Sequence, residues 1–345
     1  MSDKDHGVLY IGMDLGTSRT SISASNGVRE TVESYVGYPK DVVARKMIGR
    51  DVMFGVEALG KRLSLNIFKP LEKGVIKDSD DGATIEENMK AARDLIQHAI
   101  SLAKPRKDEL IYAVIGAPAE ASIHNKKAIL DAAREVIDSV MLCSEPFSVA
   151  YGLDMLDDTL VIDIGAGTVD LCRMHGTMPD ADDQITLTTA GDYVDDQLYE
   201  LLKERCEGAD FNLNMVKRFK EKHAFVTTAS EPVIATFPVE GKPTQFDVTD
   251  EVRTACRKMV PPIVDALGKL ISSFDPEFQD RLRSRVLLGG GGSQVRGLDR
   301  AIEEVMAERL GGGQVLKVEE PMYAGSNGAL KIAHDMPEEY WEKLR

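Results

Sequence analysis

The chain is short of the residues that build disulfide scaffolds or Cys-based metal sites. Its four cysteines, Cys143, Cys172, Cys206 and Cys256, stand singly with no Cys-x-x-Cys pair, which excludes a disulfide framework and fits a reducing cytoplasm. Cys143 and Cys172 lie in apolar, strand-like runs, where packing explains a thiol better than nucleophilic chemistry. No apolar run approaches the ~20 residues of a membrane span. The start, Met1 to His6, has neither the basic nor the apolar region of a signal peptide. Positive charge is scarce as well: 42 Lys and Arg against 57 Asp and Glu leave a net charge of -15. Nucleic acid is therefore an unsuitable partner, and a basic face for acidic membranes is restricted to a local patch. The 6 histidines show no metal-ligand spacing.

What is present is a phosphate-binding pattern, twice. Thr159-Leu160-Val161-Ile162-Asp163-Ile164-Gly165-Ala166-Gly167-Thr168-Val169-Asp170 reads as a buried strand that ends beside a carboxylate and turns on two glycines. Glycines allow a tight turn whose backbone N–H groups close on an anion, and Asp163 is placed to hold a hydrated cation against it. Val8 to Ser18 repeats the plan, with Asp14, Gly16, Thr17 and Ser18. Each copy precedes a second strand, Ser21 to Ser25 and Val169 to Met174. A buried strand running into a glycine turn is common, so one copy would be weak. Two copies that could grip a polyphosphate from both sides make the bland reading the lesser one.

At 345 residues the chain accommodates roughly two domains, and strands alternate with helices throughout, which points to α/β architecture. Gly- and Pro-broken short strands from about Glu33 to Lys73 suggest a small inserted subdomain. Asp78 to Gly82 reads as a polar loop and Ile85 to Ala103 as a helix. A strand at Leu110 to Gly116, a helix from about Ile123 to Ser139, a strand at Val140 to Cys143 and a helix from about Phe147 to Leu153 complete the first half. In the second half, helices are expected at Gly191–Arg205 and Met215–His223, the latter strongly basic. Glu251–Ser273 should be helical with a kink or restart at Pro261-Pro262. Strand-like pieces fill Pro232 to Val248, Arg285 to Leu288 enters a four-glycine run, and a helix from Leu298 to Leu310 stops at Gly311.

Asp14-Leu15-Gly16-Thr17, Asp163-Ile164-Gly165-Ala166-Gly167-Thr168 and Gly290-Gly291-Gly292-Ser293 occur in the order of the two phosphate motifs and the adenosine motif of the actin, Hsp70 and sugar-kinase superfamily. Val114 to Val136 and Pro321 to Leu330 resemble its two connecting segments, so the likeness covers most of the chain. Val56 to Ile76 and Gly290 to Asp299 are similar to bacterial actins of the MreB type. Val36 to Val42, Ser144-Glu145-Pro146-Phe147 and the ending Pro337 to Trp341 resemble the magnetosome-associated branch of that group.

The resemblance implies an actin-like fold: two related, ribonuclease H-like α/β domains around a nucleotide cleft, each with a smaller subdomain. The first would be 1–155, with its subdomain at about 33–73. The second would be 156–345, with its subdomain at about 190–255 and with 321–345 packing back on the first. ATP or ADP would be held by Gly16, Thr17, Ser18, Gly165, Ala166, Gly167 and Thr168 at the phosphates, and by Gly291, Gly292 and Ser293 at the adenosine. Lys220 and Glu221 would contact ribose and adenine. Lys217 is grouped with them, although Lys217, Arg218 and Lys222 also read as a solvated face. Asp14 and Asp163 would hold Mg²⁺, largely through water. Glu145 and Asp163 would be catalytic, Glu145 by polarising the attacking water; for Glu145 a helix N-terminal acid favoured by the dipole is the plainer alternative. Ser21 stands where conventional actin has a phosphate-binding lysine, which MreB-type proteins also lack.

The function implied is an ATPase that assembles head-to-tail with itself into dynamic cytoplasmic filaments. These would organise magnetosome chains along magnetosome membranes with magnetosome-associated proteins as partners. A cell-shape filament of MreB type is the alternative within the family. Tyr151-Gly152-Leu153-Asp154 is similar to a stretch of Hsp70-like chaperone ATPases, but that reading is opposed by an expected end at Arg345 with no substrate domain. A small-molecule kinase would need a substrate-binding base for which no distinct motif stands out.

Overall fold

β-branched and aliphatic runs set the two central strands. In the computed structural model, which describes residues 7–77, 84–229 and 231–345, all six residues of Thr159–Ile164 and of Val169–Met174 are buried. The loop expected at Asp78–Gly82 lies outside the described residues. The chain runs through β1 (Val8–Leu15), β2 (Arg19–Ala24), β3 (Arg29–Glu33), β4 (Val36–Pro39), α1 (Val42–Ile48), β5 (Met53–Phe54), α2 (Gly55–Gly60), β6 (Leu65–Phe68), β7 (Leu71–Glu72) and β8 (Val75–Ile76). It continues with α3 (Ile85–Leu102), β9 (Leu110–Ala117), α4 (Ile123–Ala133), β10 (Ser139–Ser144) and α5 (Glu145–Gly152). Then come β11 (Thr159–Ile164), β12 (Val169–Met174), β13 (Gln184–Leu187), α6 (Gly191–Arg205), α7 (Leu213–His223), β14 (Ile234–Val239), β15 (Lys242–Asp247), α8 (Thr249–Arg257) and α9 (Val260–Ser272). The last elements are α10 (Gln279–Ser284), β16 (Val286–Gly289), α11 (Leu298–Leu310), β17 (Val315–Lys317), α12 (Ala324–Asp335) and α13 (Glu338–Leu344).

The chain divides into two units, one of Met1–Leu156 with Met322–Arg345 and one of Asp157–Pro321. The first contains a sheet in the order β10-β9-β1-β2-β3 and the second a sheet in the order β13-β12-β11-β16-β17. Both follow one plan. β1 and β11 each pair antiparallel with the next strand and parallel with a later one. Even the turns match: the last cross-strand pairs are Leu15↔Thr20 and Ile164↔Val169, so each hairpin leaves the same number of residues between them. Parallel strands end together, so the carboxyl ends of β1, β9 and β10 lie along one edge, as do those of β11 and β16. Ligands of α/β sheets bind at such edges.

Local signals explain the helix starts. Thr84 caps α3 with a reciprocal pair of bonds, Glu87 N–H to Thr84 Oγ1 at 3.2 Å and Thr84 N–H to Glu87 Oε2 at 2.8 Å. Pro261-Pro262 do not kink a long helix; they occupy the first turn of α9, where their missing N–H groups cost nothing, and α8 ends before them. Gly311 takes the left-handed conformation, φ 79°, that closes α11. The largest difference from the sequence reading is at the end of α4. The helix expected to reach Ser139 stops at Ala133, because Asp138 N–H must reach Ile111 O and Ser139 pairs with Tyr112 to start β10. Sheet pairing outweighs the apolar periodicity of Val136 and Ile137 there.

Within the first unit β4, β5 and β6 form a separate three-stranded sheet with its own small core of Met53, Ala58 and Leu65. Trp341 of α13 is fully buried, with its ring 5.2 Å from that of Tyr112 and its carbonyl accepting from Ser139 Oγ at 3.0 Å. α12 lies on β1 and α5 through glycines. A Cβ on Gly12 would stand 2.0 Å from Ser326 O, and one on Gly328 would stand 1.7 Å from Ser148 O. Both obstacles are backbone, so a helix would have to move. Gly328→Ala is expected to cost about 1–3 kcal/mol or more and to lower the melting midpoint by several degrees. Gly60→Ala, with nothing within 4 Å, is the control, and equal melting of the two variants would refute the packing account.

Candidate functional site

In the first unit the edge of the sheet gathers the residues singled out from sequence. Asp14, next to last in β1, pairs in register with Gly116 of β9, which pairs with Cys143 of β10. Glu145 follows two residues later, as the first residue of α5 rather than the residue before a helix. Three adjacent strand ends therefore bring Asp14, Gly116 and Glu145 side by side. Gly116 leaves the room: a Cβ there would lie 3.2 Å from Glu145 Cγ. Glu145 is 9% exposed, and its position favours a carboxylate through the helix dipole as well. Gly325, near the start of α12, would bring a Cβ within 3.3 Å of Asp14 Oδ2, so that helix N-terminus also faces the carboxylate. Burial pushes the Cys143 thiol up to about 12, with the charges of Glu145 and Asp14 adding to the shift. Cys143 thus stays a protonated packing residue.

The first turn is held by its neighbours. Gly16 cannot carry a side chain, since a Cβ would meet Arg19 O at 2.5 Å, and its carbonyl accepts from Ser34 Oγ at 2.6 Å. Thr17 is buried, and its Oγ1 accepts from Gly74 N–H at 2.7 Å, which ties the exit of the small subdomain to the turn. Ser18 carbonyl accepts from Ser34 N–H at 2.9 Å. Ser21, directly opposite Asp14, is buried.

The second unit repeats this arrangement. Asp163 is 7% exposed and pairs in register with Gly289, so the glycine run leaves β16 right beside it. A Cβ on Gly290, where φ is 75°, would stand 2.2 Å from Asp163 Oδ1. Gly165 N–H closes the turn on Thr168 O at 2.9 Å. Gly165 and Ala166 are partly open, whereas Gly167 and Thr168 are buried. Opposite Asp163 stands Asp170, which is buried and accepts from Thr186 Oγ1 at 2.5 Å. In the adenosine loop Gly291 is exposed and Gly292 half-buried, and a Cβ on Gly292 would meet Ile164 Cγ2 at 2.2 Å. Ser293 is wholly buried, and its hydroxyl donates to Gly290 O at 2.7 Å, so it shapes the loop.

On α7, Lys217 lies 3.9 Å from Asp192 and Lys220 lies 2.8 Å from Asp195, while Glu221 is exposed. Asp195 was not singled out from sequence. Its signal is periodicity: with Val194, Leu198 and Leu202 it belongs to the buried face of α6, where a carboxylate needs a partner. Ser34, Gly74, Gly116 and Gly325 were missed too, because their roles exist only across long sequence separations. Among the described residues no group of three or more His, Cys, Asp or Glu could by itself hold a metal ion. No helix among them is long and apolar enough to cross a membrane.

These paired turns match a known family. Its model, described as MreB/Mbl protein, matches residues 9–339. The chain belongs to the MreB/Mbl family. It is 40% identical over 97% of its length to the actin-like protein MamK of Paramagnetospirillum magneticum, covering 95% of that protein. It is 39% identical over 97% of its length to MamK of Magnetospirillum gryphiswaldense, covering 92% of it. A structure described as a MamK double helical filament superposes with a TM-score of 0.91 at 40% identity, over 96% of this chain and 100% of that one. A non-polymerising MamK mutant bound to AMPPNP superposes at 0.71 with the same identity and coverage. An MreB of Spiroplasma citri bound to AMPPNP, 18% identical, shares the fold with a TM-score of 0.77 over 97% of each chain. The actin-like fold and the MamK-type, bacterial-actin character expected from sequence both hold.

Proposed function

We propose that this chain is a nucleotide-driven, filament-forming actin that binds ATP with Mg²⁺, hydrolyses it to ADP and phosphate, and assembles head-to-tail with copies of itself. The observation that carries the reading is the paired Asp-bearing turn, present in both units on the same strand plan and at the same loop length. In this reading the N–H groups of the turns hold the phosphates, and the loop at Gly291–Gly292 receives the adenosine. Glu145 orients the attacking water and accepts its proton. Asp14 and Asp163 suit a hard cation that keeps most of its water, since Mg²⁺ takes one or two carboxylates beside substrate phosphates. Bound there, it would neutralise phosphate charge.

Self-assembly is supported by the likeness to the MamK filament and by a surface that fits it. Val42, Val43, Met47 and Leu63 of the small subdomain are each at least 70% exposed. Around them Arg45, Lys46, Arg50, Lys61 and Arg62 are exposed on a chain of net charge -15, with Arg45 paired to Asp51 and Arg50 to Glu57, so Lys46, Lys61 and Arg62 carry the surplus positive charge. A second, acidic copy complements such a face, and contacts of this kind that do not close build open filaments. Extended to the magnetosome-associated branch, the filaments would lie in the cytoplasm along magnetosome membranes and organise magnetosome chains with proteins of that compartment.

Pelleting and negative-stain microscopy with ATP and Mg²⁺ test the assembly reading, and a chain that remains monomeric over wide ranges of salt and concentration refutes it. The paired substitution Val43→Glu, Met47→Glu is expected to raise the critical concentration about tenfold or more, since each buried apolar side chain is worth about 1.5–3 kcal/mol. Nucleotide affinity of the monomer should be unchanged. Normal pelleting by the variant would show that this face is not an assembly surface.

A further inference from the structure

The ammonium of Lys220 is committed inside the protein. Nζ donates to Gly191 O at 2.8 Å and makes an ion pair with Asp195 Oδ1, also at 2.8 Å. The two side chains are only 12% and 3% exposed. Burial holds the Asp195 carboxyl above the usual carboxylate range, and the Lys220 charge draws it partly back. A buried pair of this kind carries a desolvation cost, so it calls for a role beyond stability.

The geometry of the neighbouring peptides supplies one. Gly191 N–H donates to Gly165 O at 3.2 Å, and Asp192 N–H donates to Ala166 O at 2.7 Å. α6 has no side-chain cap, so its first N–H groups are satisfied by the carbonyls of the phosphate turn. In a trans peptide the C=O and the following N–H point in opposite directions. Fixing Gly165 O therefore aims the Ala166 N–H away from α6, and fixing Ala166 O does the same for Gly167 N–H. Gly191 eases this approach, because a Cβ there would stand a tight 3.2 Å from Ala166 Cα and 3.3 Å from Gly165 O. Lys220 grips the same residue from its other side, through its carbonyl.

We propose that Asp195 and Lys220 are positioning residues that hold the Gly165–Thr168 turn in its phosphate-binding shape, with Lys220 serving the nucleotide through the backbone of Gly191 rather than by touching ribose or adenine. The inference rests on the nucleotide reading above and changes the role that the family resemblance gives to Lys220. It separates two kinds of binding energy. Loss of the clamp loosens the N–H groups that meet phosphate and leaves the adenosine loop in place.

Calorimetric titration of the monomer with ATP, ADP and adenosine, the last by competition, tests it on wild type, Lys220→Met, Asp195→Asn and the pair Asp195→Asn with Lys220→Met. The single and paired variants should lose about tenfold or more in affinity for ATP and ADP, the scale of supporting residues behind a binding site. Their loss for adenosine should be several-fold smaller. Lys220→Arg, which keeps the charge and can reach both partners, should recover most of the ATP affinity. Equal losses for all three ligands would mean that Lys220 touches the nucleoside, and unchanged ATP affinity in the variants would mean that the clamp does not shape the turn; either overturns the proposal. If the single variants fail to fold, the paired variant carries the test without a lone buried charge. Wild type that binds no nucleotide would instead refute the nucleotide reading, a separate outcome.

Discussion

Glu145→Ala is expected to slow phosphate release from ATP by about 10²–10⁴-fold, the usual contribution of a positioned acid–base group, while filaments still form. The expectation rests on place and room. Glu145 opens α5 at the end of β10, its stem lies over Gly116, and Asp14 is next to last in the next strand but one. A carboxylate there can accept a proton from water without moving the sheet. Removing it leaves the phosphate turns and the exposed face of α1 untouched, so binding and assembly should survive. Single-turnover phosphate release, followed alongside pelleting, separates the two. Unchanged turnover would leave Glu145 as no more than a well-placed acid at a helix start, and loss of nucleotide binding would show that it holds the fold of the site.

The second large effect is expected at Asp163. Asp163→Ala should lower Mg²⁺-dependent turnover by about 10²-fold or more, since charge stabilisation at a phosphoryl group is worth several kcal/mol. It should also weaken the dependence of ATP affinity on Mg²⁺, a readout that needs no turnover. Asp163 is buried at the end of β11, beside the point where the glycine run leaves β16, and Gly290 approaches its Oδ1 so closely that no other residue fits there. Hydrolysis with a normal Mg²⁺ requirement would contradict the assignment. Filament turnover, followed by light scattering after a pulse of ATP, should slow in parallel.

Elements with a strong periodic signal were legible in the sequence. The helices Gly191–Arg205 and Leu298–Leu310 begin and end where apolar spacing and glycine stops put them, and the strand Val169–Met174 does too. The signal failed where a local preference met a non-local demand. Val136 and Ile137 continue a helical pattern, yet pairing of the following residues with β9 ends α4 at Ala133. Ser293 belongs to a recognisable glycine motif, but only the structure turns its hydroxyl inward to Gly290 O. Lys220 reads in sequence, through the family resemblance, as a contact of ribose and adenine, and its burial against Asp195 depends on how α6 and α7 pack.

The sequence by itself determined the paired Asp–Gly turns, the α/β class and the family, because these depend on residue type at short spacing: a carboxylate at a strand end, glycines where a side chain would collide, and apolar runs of strand or helix period. The tertiary structure decided which side chains serve the site indirectly. Gly116 making room for Glu145, Thr17 anchoring Gly74, and Lys220 holding Gly191 are contacts between elements far apart in the chain. Such contacts arise from sheet order and helix packing, and no local pattern of residues encodes them.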